Sequence, residues 1–210
     1  MDSNRHEKRK MAAWRQAKVV ALCGCMRSGK NTAADVLQEG MGFRQIAIAS
    51  HLKRVVALLF DLSPDQVEGS RKDELDERWG VAPRQILQYF GTDVMQFQLP
   101  GALMPHIGRN FWVNRMLRDM RDIHDTDCGI RFVITDMRFA HEYEAIKAQY
   151  PSLCVVRIVR ERPVSTTDIL PRSEDRHHTS ETSWKSVPHD VCLINASLPK
   201  FRAEVHDLFA

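Results

Sequence analysis

The chain has 210 residues, 43% of them hydrophobic and 27% charged, with a formal net charge of +3. That length holds one well-buried core, with room for a lid-like insertion, and the balance is ordinary for a soluble globular protein. It excludes a collagenous or disordered chain, and no apolar run approaches the ~20 residues a membrane helix needs.

The predicted elements follow in chain order. Residues 1–17 read as a basic, solvated tail, because Arg5, Lys8, Arg9, Lys10 and Arg15 cluster there, with Lys18 just beyond. A nucleic-acid arm is the less favoured reading, since no nucleic-acid motif accompanies the charge. The N-terminus has no apolar stretch of the secretory kind. Lys18 to Cys23 is a continuous apolar run, the pattern of a strand buried on both faces. Thr32 to Gln38 is helical, with Gly40 and Gly42 as breakers. Phe43 to Ala49 is a second strand, and Leu52 to Leu62 a second helix. Asp65 to Gly80 is dense in charge and reads as a surface excursion. Pro83 opens a helix that carries Ile86, Leu87 and Phe90 past Val94. Phe111 to Ile123 is an amphipathic helix, and Arg131 to Thr135 a third buried strand. Glu142 to Tyr150 is helical and stops at Pro151. Leu153 to Val159 is a fourth strand and Asp190 to Ile194 a fifth. Leu198 to Phe209 closes the chain as a helix. Strands alternating with helices predict a parallel sheet covered on both faces.

Five cysteines, Cys23, Cys25, Cys128, Cys154 and Cys192, form no metal or disulfide spacing. Cys154 and Cys192 lie in apolar runs and read as small core residues. The odd count points to a reducing, cytoplasmic compartment.

The first strand ends on Gly24-Cys25-Met26-Arg27-Ser28-Gly29-Lys30. Glycines at this spacing let main-chain N–H groups converge on phosphate oxygens, and the helix that follows adds its positive end. Lys30 brings a charge to the β- and γ-phosphates of ATP. Gly24, Arg27, Ser28, Gly29, Lys30, Asn31 and Thr32 are therefore the candidate ATP-binding residues. Asn31 stands where a Ser or Thr usually follows the lysine, and Thr32 offers a hydroxyl one residue later, a candidate for magnesium or its waters.

Beyond the loop, Ser50-His51-Leu52-Lys53, Pro83-Arg84-Gln85-Ile86-Leu87-Gln88, Gly91-Thr92-Asp93, Asp136-Met137-Arg138-Phe139 with Glu142, and His177-His178-Thr179-Ser180-Glu181 stand in order. With these motifs the chain resembles the deoxynucleoside monophosphate kinases of bacteriophages and related viruses, from about Val19 to the C-terminus. The resemblance implies an α/β P-loop kinase fold of the adenylate-kinase type. It has a five-stranded parallel sheet flanked by helices, an acceptor-binding helical region over 50–125 and an Arg-rich lid over 160–180, all in one domain from 18 to 210. It implies transfer of the γ-phosphoryl of ATP, with Mg2+, to a dNMP, giving a dNDP. Where the family often has an arginine three residues after Gly-Thr-Asp, this chain has Gln96.

Phosphoryl transfer brings two polyanions together, so cations are needed on both sides of the moving group. Lys53 and Arg84 are candidate anchors for the acceptor phosphate, and Arg84 can grip it with two parallel bonds. Gln88, one turn on, is a candidate base reader, and Asp93 a sugar or base contact. Each of these also reads as a residue of a solvated helix face. Asp136, at the end of the third strand, either holds magnesium through water or caps the next helix. Arg138 either enters the same cleft or pairs with Glu142 on the surface. Arg160, Arg162, Arg172 and Arg176 occupy the lid position, Arg160 being the first choice for catalysis. His178 and Glu181 are lid or acceptor contacts, and His177 the blander of the two histidines. Asn195 marks where adenine would rest. Two alternatives remain open: a P-loop kinase of another small acceptor, of the dephospho-CoA or phosphomevalonate type, and a regulatory module that binds ATP without transfer. The partners implied are ATP and dNMP, with no nucleic acid and no membrane. A homodimer is left open.

Overall fold

The computed structural model describes residues 12–161 and 182–210. These divide into two compact units, one running up to Ala47 and again from Asp119, the other from Ile48 to Arg118.

The first unit is built on five parallel strands, β1 (Val19–Cys23), β2 (Phe43–Ile46), β3 (Arg131–Ile134), β4 (Cys154–Arg160) and β5 (Val191–Asn195), in the order β2-β3-β1-β4-β5. Every residue of β1 is buried, as its unbroken apolar run requires of a central strand. The helices Lys30–Met41 and Leu198–Phe209 share one apolar cluster with Val20, Leu22, Val156 and Ile158, through Ala33, Ala34, Leu37, Phe201 and Val205. Phe43 meets Phe209 edge to face at 6.3 Å.

Three local expectations are revised. Residues 12–15 are helical rather than tail: Trp14 packs partly buried on the core and Ala17 is fully buried. Gly40 lies inside its helix. Gly42 alone ends it, at φ 70°, a left-handed turn that glycine takes without strain. Cys154 is buried as expected, but Cys192 is exposed, because β5 is an edge strand whose residues alternate in exposure. All five cysteines are free thiols.

The second unit is helical. Ser50–Phe60 is followed by a short turn, Pro64–Val67, which Ser63 and Gln66 cap reciprocally. The charged stretch after it is no loose excursion. Asp76 is buried, and the two forks of Arg78 tie it to Asp61, while Gln66 Nε2 donates to Asp76 at 2.8 Å. The Arg78 guanidinium holds the Asp76 carboxyl well below the usual range. Pro83–Gln88 then widens into π-type turns over Tyr89–Gln98. Gly91 is required where this segment meets Leu52: a Cβ there would lie 2.5 Å from Leu52 Cδ2. Trp112 Nε1 donates to the Gly91 carbonyl at 3.0 Å. Among the described residues no helix is long and apolar enough to cross a membrane.

Candidate active site

In the first unit, the loops that leave the carboxyl ends of β1 and β3 carry Gly24–Thr32 and Asp136 with Arg138, and the last residues of β4 and β5 are Arg160 and Asn195. Parallel strands aligned in register deliver all of them to one edge of the sheet, where open α/β sheets bind ligands.

The β1 loop is shaped for main-chain contact with an anion. Gly24 at φ 147° and Gly29 at φ 113° occupy backbone conformations closed to other residues. A Cβ on Gly24 would come within 2.3 Å of the Ile158 carbonyl, and one on Gly29 within 2.5 Å of Asn195 Nδ2. Arg27 takes φ 60° without being glycine, the kind of local strain that persists at ligand loops. Lys30 Nζ donates to the carbonyls of Gly24 and Cys25 at 3.0 and 2.7 Å, so the ammonium is held against the loop's first turn. The helix Lys30–Met41 starts with no side-chain cap, leaving its first N–H groups to a ligand. Ser28 is fully buried, and its Oγ has no hydrogen-bond partner among the described residues. An orphaned hydroxyl inside a phosphate loop is a donor awaiting an acceptor. Thr32 is half-buried in the first helical turn and Asn31 is exposed. Asn195 acts on the loop itself, donating Nδ2–H to the Ser28 carbonyl at 2.9 Å. Arg160 is exposed, and its Nη1 reaches the Arg27 carbonyl at 3.5 Å.

Asp136 is not the cap of the next helix. The cap position of Ala140–Gln149 is Phe139, and the capping side chain is Glu142 from within the first turn. Glu142 is also not at the surface, where a pair with Arg138 was expected. Glu142 is 4% exposed, and its Oε2 accepts the main-chain N–H of Arg138 at 2.8 Å and of Phe139 at 2.9 Å. Burial pushes its carboxyl up to about 7, against the pull of those two donors, and Asp136 adds to the rise. Asp136 and Arg138 are half-buried between the buried Met137 and Phe139. Among the described residues no three His, Cys, Asp or Glu side chains gather as a metal site. Magnesium keeps several of its waters and takes one or two carboxylates alongside substrate phosphates. Asp136 and Thr32 are the side chains that would hold it.

The acceptor candidates lie in the second unit, each in a defined setting. Lys53 Nζ pairs with Glu68 at 2.7 Å. Arg84 grips Asp73 with Nε and Nη2, the fork geometry it would offer a phosphate. Neither is a merely solvated charge. Gln88 Nε2 is buried without a hydrogen-bond partner among the described residues. Asp93 is half-buried on the π-type segment. Gln96 is buried and accepts from Arg109 Nη2 at 3.0 Å, and the Arg109 guanidinium also covers the Phe97 ring at 4.6 Å. A guanidinium therefore does reach the place where Gln96 stands, from thirteen residues away. Arg109 is the residue that reading the sequence passes over, and Glu142 reads only as a motif member and a surface partner of Arg138. The Glu142 signal was present as a glutamate at the third position of a helix; Arg109 had none. Arg162, Arg172, Arg176, His177, His178 and Glu181 lie outside the described residues.

Comparison with known proteins identifies the family. The model of the deoxynucleotide monophosphate kinase family matches residues 65–198. A curated protein of Acanthamoeba polyphaga mimivirus, named "Putative deoxynucleotide monophosphate kinase", is 32% identical over 181 residues, 84% of this chain and 88% of its own length. Among solved structures, dephospho-CoA kinase from Campylobacter jejuni is 14% identical over 91% of this chain and 95% of its own, with a TM-score of 0.44. Shikimate kinase from Aquifex aeolicus is 12% identical over 89% of this chain and 92% of its own, with a TM-score of 0.41. The chain thus belongs to the deoxynucleotide monophosphate kinase family and is a nucleotide kinase, a phosphotransferase.

Proposed function

We propose that the protein moves the γ-phosphoryl of ATP to a deoxynucleoside monophosphate, giving the diphosphate, within one catalytic domain over 18–210. The observation that carries this reading is the phosphate cradle at the sheet edge: two glycines that admit no side chain, an uncapped helix start and the orphaned Ser28 hydroxyl around Lys30. Its main-chain N–H groups and Ser28 Oγ bind the donor's phosphates, and Lys30 neutralises the charge between β and γ. Asn195 holds the loop in shape through the Ser28 carbonyl. Arg138 and Arg160 supply positive charge for the transferred group, and Asp136 and Thr32 hold the magnesium shell. A magnesium ion held there would supply positive charge to offset that of the phosphates.

On the acceptor side, Arg84 takes the monophosphate in the fork that Asp73 occupies, with Lys53 as a second cation. Gln88 turns its buried amide to the base, where an unpaired N–H finds a partner, and Asp93 meets the sugar or base. The test is ADP release from purified protein across the four dNMPs, the NMPs, dephospho-CoA and phosphomevalonate. Release that depends on a dNMP, above every other acceptor, is expected. Release with dephospho-CoA or phosphomevalonate alone would transfer the site to that acceptor, and ATP binding without release would make the protein a nucleotide-binding module.

A further inference from the structure

The turn after β3 has to present two side chains, Asp136 and Arg138, from a segment that is neither strand nor helix. Irregular backbone of this kind holds a shape only if its polar groups are met. Two apolar anchors, Met137 at 1% and Phe139 at 5% exposure, pin it to the interior on alternate residues. Phe139 stacks on His141 with centroids 5.3 Å apart. The main-chain N–H groups of Arg138 and Phe139 are both taken by one oxygen, Glu142 Oε2.

We propose that Glu142 is a positioning residue of the transfer step: its carboxylate sets the turn that carries Asp136 and Arg138 and itself touches no substrate. This rests on the reading of Asp136 and Arg138 given above. The bond from the Phe139 N–H is the one that caps the helix from its third position, whereas the bond from the Arg138 N–H lies outside what starting the helix requires. Both go to the residues that flank and follow Arg138's own Cα, which is where a shift of the turn would move the two side chains most. Groups that orient a working residue in this way are worth tenfold to a hundredfold in activity.

Length and charge are separated by two variants. Glu142→Gln keeps an acceptor oxygen at the same reach, and kcat is expected within about threefold of wild type. Glu142→Asp keeps the charge but falls one methylene short, and kcat is expected to drop about tenfold or more, with KM for ATP within about twofold and an unchanged melting profile. If Glu142 acts through Asp136, adding Glu142→Asp to Asp136→Asn costs less than about twofold further, because coupled residues do not add. Wild-type kcat in Glu142→Asp, a loss in Glu142→Gln that Glu142→Asp does not share, or fully additive losses would each overturn the proposal. Normal turnover in Asp136→Asn alone would instead remove the underlying reading, and this inference with it.

Discussion

The stability of this protein should fall as pH rises through neutrality at one identifiable carboxyl. Glu142 ionises near 4.5 in an open chain and near 7 in the fold, where burial outweighs the two N–H groups that favour its anion. Between those values the native state binds a proton that the unfolded state has released, so unfolding free energy has a negative slope against pH. The contribution is complete below about 4.5 and lost once pH passes about 7. One pK unit is about 1.4 kcal/mol, so the whole span is worth roughly 3 kcal/mol, of which roughly 2 to 3 falls between pH 5 and 8. Histidines titrate in the same window, so the measurement is a difference. Urea unfolding of wild type and Glu142→Gln at pH 5, 6, 7 and 8, at fixed ionic strength, isolates the carboxyl. Wild type should lose that amount relative to the variant across the range. Parallel curves would show that the carboxyl ionises normally. A difference that grows in favour of wild type with rising pH would show that the two donors, not burial, decide its charge.

Three substitutions test the proposed roles. Lys30→Ala should abolish detectable transfer while the fold survives, since the ammonium is bound to two loop carbonyls but the glycines set the loop's shape; single-turnover assay beside circular dichroism checks it, and wild-type turnover would remove the phosphate-loop assignment. Arg84→Lys keeps the charge and loses the fork, so KM for the dNMP should rise on the order of tenfold or more with KM for ATP unmoved; an effect on ATP alone would put Arg84 on the donor side. Asp136→Asn should cut kcat on the order of a hundredfold and shift the magnesium optimum, with stability little changed because Asp136 does not cap the helix; normal turnover would leave it without a catalytic part.

What was legible in the sequence was what neighbours in the chain decide. The sheet could be read because each central strand is an apolar run buried on both faces, and the phosphate loop because its glycines stand at fixed offsets on the end of such a run. Partners distant in sequence left no such trace. Arg84 and Asp73 are eleven residues apart, and Lys53 and Glu68 fifteen. Composition around each shows only charge, and a solvated face was the natural reading. The stretch from Asp65 to Gly80 misled for the same reason: its charges close on one another through Arg78, so density of charge there marks a small folded knot. Gly40 misled in the opposite direction. An isolated helical glycine costs about 1 kcal/mol, which the packed face of Lys30–Met41 absorbs, whereas Gly42 ends the helix by its φ. The apolar pattern from Pro83 onward reads as one helix and does not announce the widening to π-type turns over Tyr89–Gln98.

Asp136 and Glu142 draw the two kinds of information together. An aspartate ahead of a helix is ambiguous between a cap and a ligand-bearing carboxylate for as long as the cap position is unknown. The structure puts Phe139, a residue with no capping group, at that position and has Glu142 reach back to it. Capping is thereby done from inside the helix, and the acid at the strand end is released from it. A carboxylate at the edge where parallel sheets bind ligands thus has no cap to serve, and a buried second acid fixes the turn that carries it. That division of labour is why mutating the two should affect different quantities, stability against pH for Glu142→Gln and turnover for Asp136→Asn.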